Sequence, residues 1–172
     1  MTVVIRASRS GDEPRVSDLY RAVAATPGGL ARLQNEVSLD YVQHFLQRAW
    51  RDGLSLVAEL DTTVVGEIHA YAPGIFCFSH VWSDLTIAVS GSHQGMGVGR
   101  KLFETFMAQA ADNANITRVE LIARESNARA IAFYETLGFR QEGRFEGRIR
   151  NLDGSFEADI PMAWTQAVVA AS

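Results

Sequence analysis

The residues best suited to chemistry lie in one glycine-rich turn, which reads SGSHQGMGVGR over residues 90–100. Gly95, Gly97 and Gly99 carry no Cβ, so a ligand can approach their amides closely and each can adopt a positive φ. The turn leads from an apolar strand into a helix whose first amides have no intrahelical acceptor and lie at the positive end of the helix dipole. This combination predicts a site for a phosphate or pyrophosphate group.

Two familiar phosphate-binding turns fit this stretch poorly. A P-loop needs Gly-Lys followed by Ser or Thr, whereas Gly99 is followed by Arg-Lys-Leu. A dinucleotide-binding turn needs G-x-G-x-x-G and an acidic residue at the end of the next strand. Here the glycines are spaced G-x-G-x-G, and the next strand ends in the mixed pair at residues 124–125. On the turn alone, a glycine-rich surface turn without a ligand remains an alternative.

A second motif, NARAIAFYETLGF, occupies residues 127–139. Its apolar side chains recur on one helical stripe, and Gly138 supplies a C-terminal stop. The stripe comprises Ala128, Ile131, Tyr134 and Leu137. The two motifs together, in this order, resemble the GNAT superfamily of acyl-CoA-dependent N-acyltransferases. The pattern Q/R-x-x-G-x-G/A is matched by Gln94, Gly97 and Gly99, and N-x-x-A-x-x-F-Y-x-x-x-G-F by Asn127, Ala130, Phe133, Tyr134, Gly138 and Phe139.

The resemblance extends from the first strand to Trp164. The endings GFRQEGR and DGSFEADIPMAW are similar to the branch of phosphinothricin-type and L-amino-acid N-acetyltransferases. The family resemblance implies a single α/β domain with a mixed, strongly twisted sheet of about seven strands and about four helices, splayed between the fourth and fifth strands. We expect an N-acetyltransferase domain over residues 1–165 and a C-terminal tail over residues 166–172.

The same resemblance implies acetyl-CoA as the cofactor. Its pyrophosphate would lie on the amides of residues 94–100, with the side chains of Gln94 and Arg100 adding hydrogen bonds or charge. Its pantetheine arm would pair with the edge at Ile87–Val89, where the Val89 amide would act as oxyanion donor, and would also bond Asn127. The alternative interpretation of this strand is core packing. It is compatible with cofactor binding, because the side chains can pack in the core while the backbone binds the cofactor. The implied contacts are Ile87, Ala88, Val89, Gln94, Gly95, Met96, Gly97, Val98, Gly99, Arg100, Asn127, Phe133 and Tyr134.

Acyl transfer to an amine requires a proton for the leaving thiolate and the removal of a proton from the substrate ammonium. The resemblance places Tyr134 beside the sulfur as the acid, although helix periodicity alone fits a buried aromatic equally well. Asp84 stands just ahead of the apolar run Leu85–Val89, where several relatives carry a glutamate on the fourth strand. A partly buried carboxylate there could accept the proton through one or two waters, and a strand-end hydrogen-bonding aspartate is the alternative. Glu67, His69 and His80 on neighbouring strands are either structural residues or proton relays.

The residues that would bind the acceptor lie in loops that carry no sequence motif. The resemblance places the loop at residues 26–37 over the acceptor site, so Asn35 and Glu36 are candidate contacts, with His80 and Asp84 nearby. An arginine fork formed by Arg148 and Arg150 could hold a substrate carboxylate. The alternative is a pair of solvated loop charges.

Composition limits the function classes. A chain of 172 residues suits one domain, and a net charge of −4 with a pI near 5.5 argues against nucleic-acid and anionic-membrane partners. The only cysteine, Cys77, allows no internal disulfide and no thiolate zinc site, and predicts a reducing, cytoplasmic location. The N-terminus lacks an apolar signal region and no run is long enough to span a bilayer. Cys77 lies among apolar neighbours, so we expect it in the core.

Periodicity predicts strands at residues 2–7, 55–60, 64–72, 78–89 and 118–124, and a final hairpin from residues 139–146 and 156–164. We expect Asp12 and Ser38 to cap the first two helices. A third helix should follow the glycine turn, and a fourth should begin at Asn127.

Taken with the resemblance, these features predict a cytoplasmic, acetyl-CoA-dependent N-acetyltransferase. The acceptor would be the primary amine of a small molecule, an amino acid or an analogue, attacking directly in a ternary complex. The alternatives are a peptide or protein N-terminal acetyltransferase and a non-catalytic acyl-CoA-binding regulatory domain. The resemblance also implies a homodimer, with the apolar hairpin that ends in Pro161, Met162 and Trp164 as a candidate interface.

Overall fold

The computed structural model describes residues 2–26 and 30–166. Within these ranges, an eight-stranded sheet is covered by four helices. The strands are β1 Val4–Ala7, β2 Gly53–Leu60, β3 Thr63–Tyr71, β4 Val81–Val89, β5 Arg118–Arg124, β6 Arg140–Gln141, β7 Phe145–Arg150 and β8 Phe156–Thr165. The helices are α1 Glu13–Ala24, α2 Leu39–Asp52, α3 Val98–Asp112 and α4 Ala128–Thr136. Part of the expected acceptor loop (residues 27–29) and most of the expected tail (residues 167–172) lie outside the described residues.

The sheet is mixed and splits in the middle, as predicted. Its order is β1-β2-β3-β4-β5-β8-β6, with β7 also paired to β8. The one parallel pair in the described sheet is β4 with β5, which are in register only at Val81–Arg118 and Trp82–Val119. Beyond Trp82 the two strands separate, and the split between them opens toward their carboxyl ends.

A β-bulge interrupts β4 just beyond this point. Ser83 pairs with Tyr71 and Thr86 with His69, so two residues of β4 face one residue of β3. Asp84 lies in the bulge with a φ of 56°, the left-handed region that aspartate tolerates better than most residues. Asp84 therefore lies within β4 and not at a strand end, because the bulge lets the strand that begins at Val81 continue through it.

The two faces of the sheet carry separate cores. α3 buries Leu102, Phe103 and Phe106 on one face, as its periodicity predicts, while α1 and α2 pack on the other. Both faces of β4 are consequently covered, with Leu85 in one core and Ala88 in the other. The alternation along β4 therefore separates two cores and not a core from solvent.

A polar cluster is buried beneath α1 and α2. Glu67 accepts hydrogen bonds from Tyr20 Oη at 2.6 Å and Ser55 Oγ at 2.7 Å, and its Oε2 lies 3.0 Å from Nδ1 of His69. All four side chains are almost completely buried, so each polar atom needs a partner inside the protein. These hydrogen bonds support the structural interpretation of Glu67 and His69.

Helix ends follow the expected chemistry at three places. Ser38 Oγ accepts the Tyr41 amide at 3.0 Å, and Asn127 Oδ1 accepts the Ala130 amide at 3.2 Å. Gly138 ends α4 with a φ of 90°, and the next amide, at residue 139, returns to the Tyr134 carbonyl at 3.1 Å.

The predicted cap at Asp12 is wrong. Its side chain does not cap α1 and turns instead toward Arg6, whose Nη1 donates at 2.8 Å, and toward Arg15. The arginine charges draw the carboxylate away from the helix amides, so α1 begins with Pro14 in its first turn and no side-chain cap.

Two strand boundaries also differ from the prediction. The expected strand at residues 139–146 is two strands, because residues 142–144 face only Ile160 and Pro161 of β8, and Pro161 has no N–H for the ladder. The expected strand at residues 78–89 begins at Val81, after a short 3₁₀ turn at Phe76–Phe78. Cys77 lies in this turn and is exposed, so its expected place in the core is wrong.

None of the helices among residues 2–26 and 30–166 combines the length and hydropathy that a membrane crossing requires.

Candidate active site

The glycine turn forms a cradle between β4 and α3. Gly95 and Gly97 have φ values of 77° and 80°, which favour glycine, and a Cβ built on either would meet nothing within 4 Å. The turn therefore needs glycine for its backbone conformation, and the space beside it is open to a ligand. Gly99 is different, since a Cβ there would lie 3.4 Å from a methyl group of Val89.

The start of α3 offers unpaired amides to this space. The first intrahelical hydrogen bond runs from the Lys101 amide to the Gly97 carbonyl at 3.0 Å, so the amides of residues 98–100 have no acceptor within the helix. The Arg100 guanidinium lies 4.9 Å from the ring centre of Phe133 and 3.3 Å from Glu104. The Arg100 side chain therefore reaches from the first turn of α3 to α4.

A cavity of about 730 Å³ extends from this cradle into the space between β4 and α4. Eleven of the thirteen predicted cofactor contacts line it, namely Ile87, Ala88, Val89, Gln94, Gly95, Gly97, Gly99, Arg100, Asn127, Phe133 and Tyr134. Met96 and Val98 are not on its wall. Met96 is 68% exposed on the outside of the turn, and Val98 is buried in the core, so only its amide faces the cradle.

The cavity wall also contains two basic residues that the sequence motifs did not mark. Arg129, in the first turn of α4, and His93, in the glycine turn, both line it. Arg129 lies inside the motif at residues 127–139, and its place beside the Asn127 cap was the available signal. The Gln94 side chain folds back onto the Val89 carbonyl, with Nε2 at 3.4 Å.

Tyr134 stands at the inner end of this cavity. Its ring packs 5.3 Å from that of Phe103 and 6.2 Å from that of Phe139, measured between centroids. Burial raises the pKa of the Tyr134 phenol above its ordinary value near 10. The hydroxyl therefore holds its proton at neutral pH, as an acid must.

A second cavity, of about 310 Å³, also has Tyr134 on its wall. It shares Ile87, Asn127 and Tyr134 with the larger one. Its other lining residues are Leu30, Ala31, Arg32, Tyr41, Leu85, Thr86, Ile122, Ala123, Arg124 and Asp159. These three shared residues therefore mark where the two cavities adjoin.

Charged side chains enter the second cavity from three separate elements. Arg32, between α1 and α2, lies 4.0 Å from the ring centre of Tyr41. Arg124, at the end of β5, donates to Asn151 Oδ1 at 3.0 Å, and its Nε lies 3.2 Å from Glu157 in a direction unsuited to a hydrogen bond. Asp159 comes from β8. Sequence reasoning missed Arg32, Arg124 and Asp159, although a single aspartate within the apolar stretch ADIPMAW was a signal for the last.

The residues predicted for the acceptor site lie outside both cavity walls. Asn35 and Glu36 form an exposed 3₁₀ turn, in which Glu36 accepts the Leu33 amide at 2.7 Å. Arg150 is exposed at the end of β7. Arg148 is half-exposed, with its Nε 3.5 Å from Asp159 Oδ2.

His80 and Asp84 are also outside. His80 immediately precedes β4 at the closed end of the split, where its carbonyl accepts the Thr117 amide at 3.0 Å. Asp84 is exposed at the bulge and not partly buried as expected, because the bulge turns it outward from the strand. Burial raises the pKa of Tyr71, and the nearby Asp84 carboxylate raises it further.

Known proteins share the sequence pattern and the fold of this chain. A profile of the acetyltransferase (GNAT) family matches residues 26–139. The structure is similar to that of the ribosomal-protein-alanine N-acetyltransferase from Brucella melitensis, at 23% identity and a TM-score of 0.82 over 95% of this chain and 99% of that one. A GNAT-family acetyltransferase from Streptococcus pneumoniae gives 20% identity and a TM-score of 0.86 over 96% and 100% of the two chains.

A phosphinothricin acetyltransferase (Pat) from Sinorhizobium meliloti, solved in complex with AcCoA, gives 17% identity and a TM-score of 0.83, covering 96% of this chain and 89% of that one. At these identities the structural likenesses show the shared fold. The profile match covers most of the chain, including the glycine cradle and Tyr134, and the chain therefore belongs to the acetyltransferase (GNAT) family.

Proposed function

We propose that this acetyltransferase moves an acetyl group from acetyl-CoA to the primary amine of a small molecule, with an amino acid or an analogue as the leading acceptor. One observation carries the proposal: Tyr134 lies on the walls of both cavities, so it can reach a thioester from one side and an amine from the other. Acetyl-CoA is the cofactor of the family and is present in the Sinorhizobium meliloti structure.

The residues of the larger cavity fit the phosphate end of coenzyme A. The free amides of residues 98–100 and the open space above Gly95 and Gly97 suit a pyrophosphate. Arg100 and Arg129 add positive charge to the same wall. When bound, acetyl-CoA supplies an acetyl group activated as a thioester.

The other residues near Tyr134 divide the remaining tasks. Ile87–Val89 lies on the split side of β4 beyond its last pair with β5, so its backbone is free to hold an extended ligand, and the Val89 amide is the proposed oxyanion donor. Asn127, which lines both cavities, orients that ligand. Tyr134 gives its proton to the leaving sulfur.

The smaller cavity favours a small zwitterionic acceptor. Its volume of about 310 Å³ suits a small molecule, and Arg32 and Arg124 on its wall can bind a carboxylate. The substrate ammonium must lose a proton before it attacks. Either Asp84, acting through water, or Asp159, acting from the cavity wall, can accept that proton.

A homodimer and a cytoplasmic location belong to the same proposal. Met162 is buried in the core of its own chain, whereas Pro161 and Trp164 are partly exposed, so only part of the hairpin's end is free to form the expected interface. The same hairpin also exposes Leu152, at 89%, and Phe156, at 64%. The single cysteine supports a reducing compartment.

The experiment that tests the function is thiol release from acetyl-CoA against amino acids, polyamines, aminoglycosides and short peptides. Acceptor-dependent release with amino acids as the best class supports the proposal, and release confined to peptides with a free N-terminus would replace it with N-terminal acetylation. Tight acetyl-CoA binding without release for any acceptor would indicate the regulatory alternative.

A further inference from the structure

Asp159 lines the second cavity, in which the acceptor is proposed to bind, whereas Asp84 does not. Asp159, near the middle of β8, lies on the wall of the second cavity together with Tyr134. Asp84 lies at the β4 bulge, is exposed and lines neither cavity. Burial raises the pKa of the Tyr71 and Tyr41 phenols, and the negative charge of Asp84 raises both further. An amine held in the cavity would therefore meet Asp159 directly and Asp84 only across intervening solvent.

The setting of Asp159 is enclosed by neighbouring strands. It pairs with Arg124 of β5 on one side and Phe145 of β7 on the other, and its side chain is only 17% exposed. The charged and titratable groups around it are Arg124 on β5, Arg148 on β7, Glu157 on β8, and, around the cavity, Tyr134, Tyr41 and Arg32. Burial raises the pKa of Asp159, and Glu157 adds to the rise, against the lowering effect of Arg148 and Arg124.

We propose that Asp159 is the catalytic base that accepts the proton of the substrate ammonium, in the acetyl transfer proposed above. The geometry places the two proton-handling groups on different elements of one cavity wall, the acid on α4 and the base on β8. The raised pKa has the right sign, because a carboxylate becomes a stronger base as its pKa rises toward neutrality.

The proton and electron balance is complete without another reactant. The ammonium gives one proton to a carboxylate oxygen of Asp159, and the freed lone pair on nitrogen forms the C–N bond with the acetyl carbon. The C–S bond breaks with its electron pair on sulfur, and Tyr134 protonates that sulfur. The second proton lost by nitrogen as the amide forms restores Tyr134, and Asp159 releases its proton to solvent.

The test compares two isosteric variants, Asp159→Asn and Asp84→Asn, with the unsubstituted enzyme. For each protein, kcat and KM are measured from pH 6 to pH 9.5 with the best amino-acid acceptor. We expect Asp159→Asn to lower kcat at least about tenfold near pH 7.5. The deficit should narrow as pH rises, since more of the acceptor then arrives as free amine. Asp84→Asn, the variant of the rival base, should lower kcat less than Asp159→Asn does and should not change the pH profile.

The outcomes are distinguishable from failure of the proposed function. If the unsubstituted enzyme releases no thiol with any amine, the acetyl transfer itself fails. If it is active and Asp159→Asn changes only KM, or Asp84→Asn shows an equal or larger pH-dependent loss of kcat, the assignment to Asp159 is overturned. Should Asp159→Asn not fold, by thermal denaturation, Asp159→Glu replaces it. Because Asp159→Glu keeps the base but displaces it, it should lower kcat at every pH while the unsubstituted pH profile is retained, and full kcat would overturn the assignment.

Discussion

Asn127 and Tyr134 lie seven residues apart at the two ends of α4, and both line both cavities. Seven residues are almost two helical turns, which brings the side chains onto one face about 10 Å apart along the axis. Asn127 also caps the helix through the Ala130 amide, so the residue that begins α4 helps to aim the phenol near its end. One short helix thereby positions two of the residues that both cavities share.

The role of Tyr134 as acid predicts a selective kinetic effect. Tyr134→Phe keeps the ring packed against Phe103 but removes the proton, so we expect kcat to fall roughly 100-fold. The Kd for acetyl-CoA, measured by calorimetry, should change less than about threefold. Tyr71→Phe, which loses a hydroxyl outside both cavity walls, is the matched control. Weaker acetyl-CoA binding with unchanged kcat would reject the assigned role.

The cradle predicts that Gly97 matters for ligand binding beyond its effect on stability. Gly97→Ala imposes a side chain at a φ of 80°, which costs roughly 1–2 kcal/mol of strain or shifts the turn. Gly74→Ala is a matched control, because Gly74 has a φ of 85° in open space outside the cradle. We expect similar losses of thermal stability in both variants, but a raised Kd for acetyl-CoA only in Gly97→Ala. Equal Kd values in the two variants would show that the turn does not hold the ligand.

The cations of the second cavity predict a dependence on the acceptor carboxylate. Arg124→Gln and Arg32→Gln should each raise the KM for an amino acid about tenfold or more, since a charge-assisted hydrogen bond contributes roughly 1.5–3 kcal/mol. The same variants should leave the KM of the corresponding amino-acid amide, which lacks the charge, almost unchanged. Arg140→Gln, on exposed β6, serves as the control. Equal effects on acid and amide would refute carboxylate binding.

The exposed apolar hairpin predicts where a dimer would form. Leu152→Asp should convert a dimer to a monomer in sedimentation velocity, because a buried charge at the interface would lose its hydration. Phe76→Asp, at a residue that is 90% exposed on the turn before β4, should leave the dimer intact. Dissociation by Phe76→Asp alone would move the interface to that turn.

Asp12 predicts a component of acid sensitivity. Burial raises its pKa, but hydrogen bonds and charges from Arg6, Arg15 and the Arg9 amide prevail and lower it to about 2, from an ordinary value of 3.8. A lowered pKa stabilises the fold above pH 3.8, and this contribution is lost as pH falls through about 2. Chemical denaturation should show Asp12→Asn to be about 1–2 kcal/mol less stable at pH 7, with a smaller difference near pH 2. A difference independent of pH would contradict the charge explanation.

The sequence was most informative where the function resides in local backbone. The cradle at residues 94–100 and the helix from Asn127 to Gly138 depend on glycine conformations and caps, which a short stretch determines by itself. The split of the sheet could be expected only through the family resemblance, since no residue in β4 or β5 announces where their pairing ends.

The acceptor cavity could not be read in the same way. Its charged residues come from three distant segments, and Arg124 meets Asp159 only because β5 and β8 pair in that register. A strand-end arginine looks the same in sequence whether it faces solvent or a cavity. Conversely, the sequence suggested Arg148 and Arg150 as a pair that binds the acceptor. Both are exposed on β7, and neither lines the second cavity.

The central claim is that a small amine is acetylated at the cavity beyond Tyr134. Its most direct test is mass spectrometry of the products formed from acetyl-CoA and the best amino acid, together with the amount of free thiol. We predict one N-acetylated amino acid for each coenzyme A thiol released, and product formation roughly 100-fold slower with Tyr134→Phe. Thiol release that is independent of the amino acid and yields only free acetate would contradict the account.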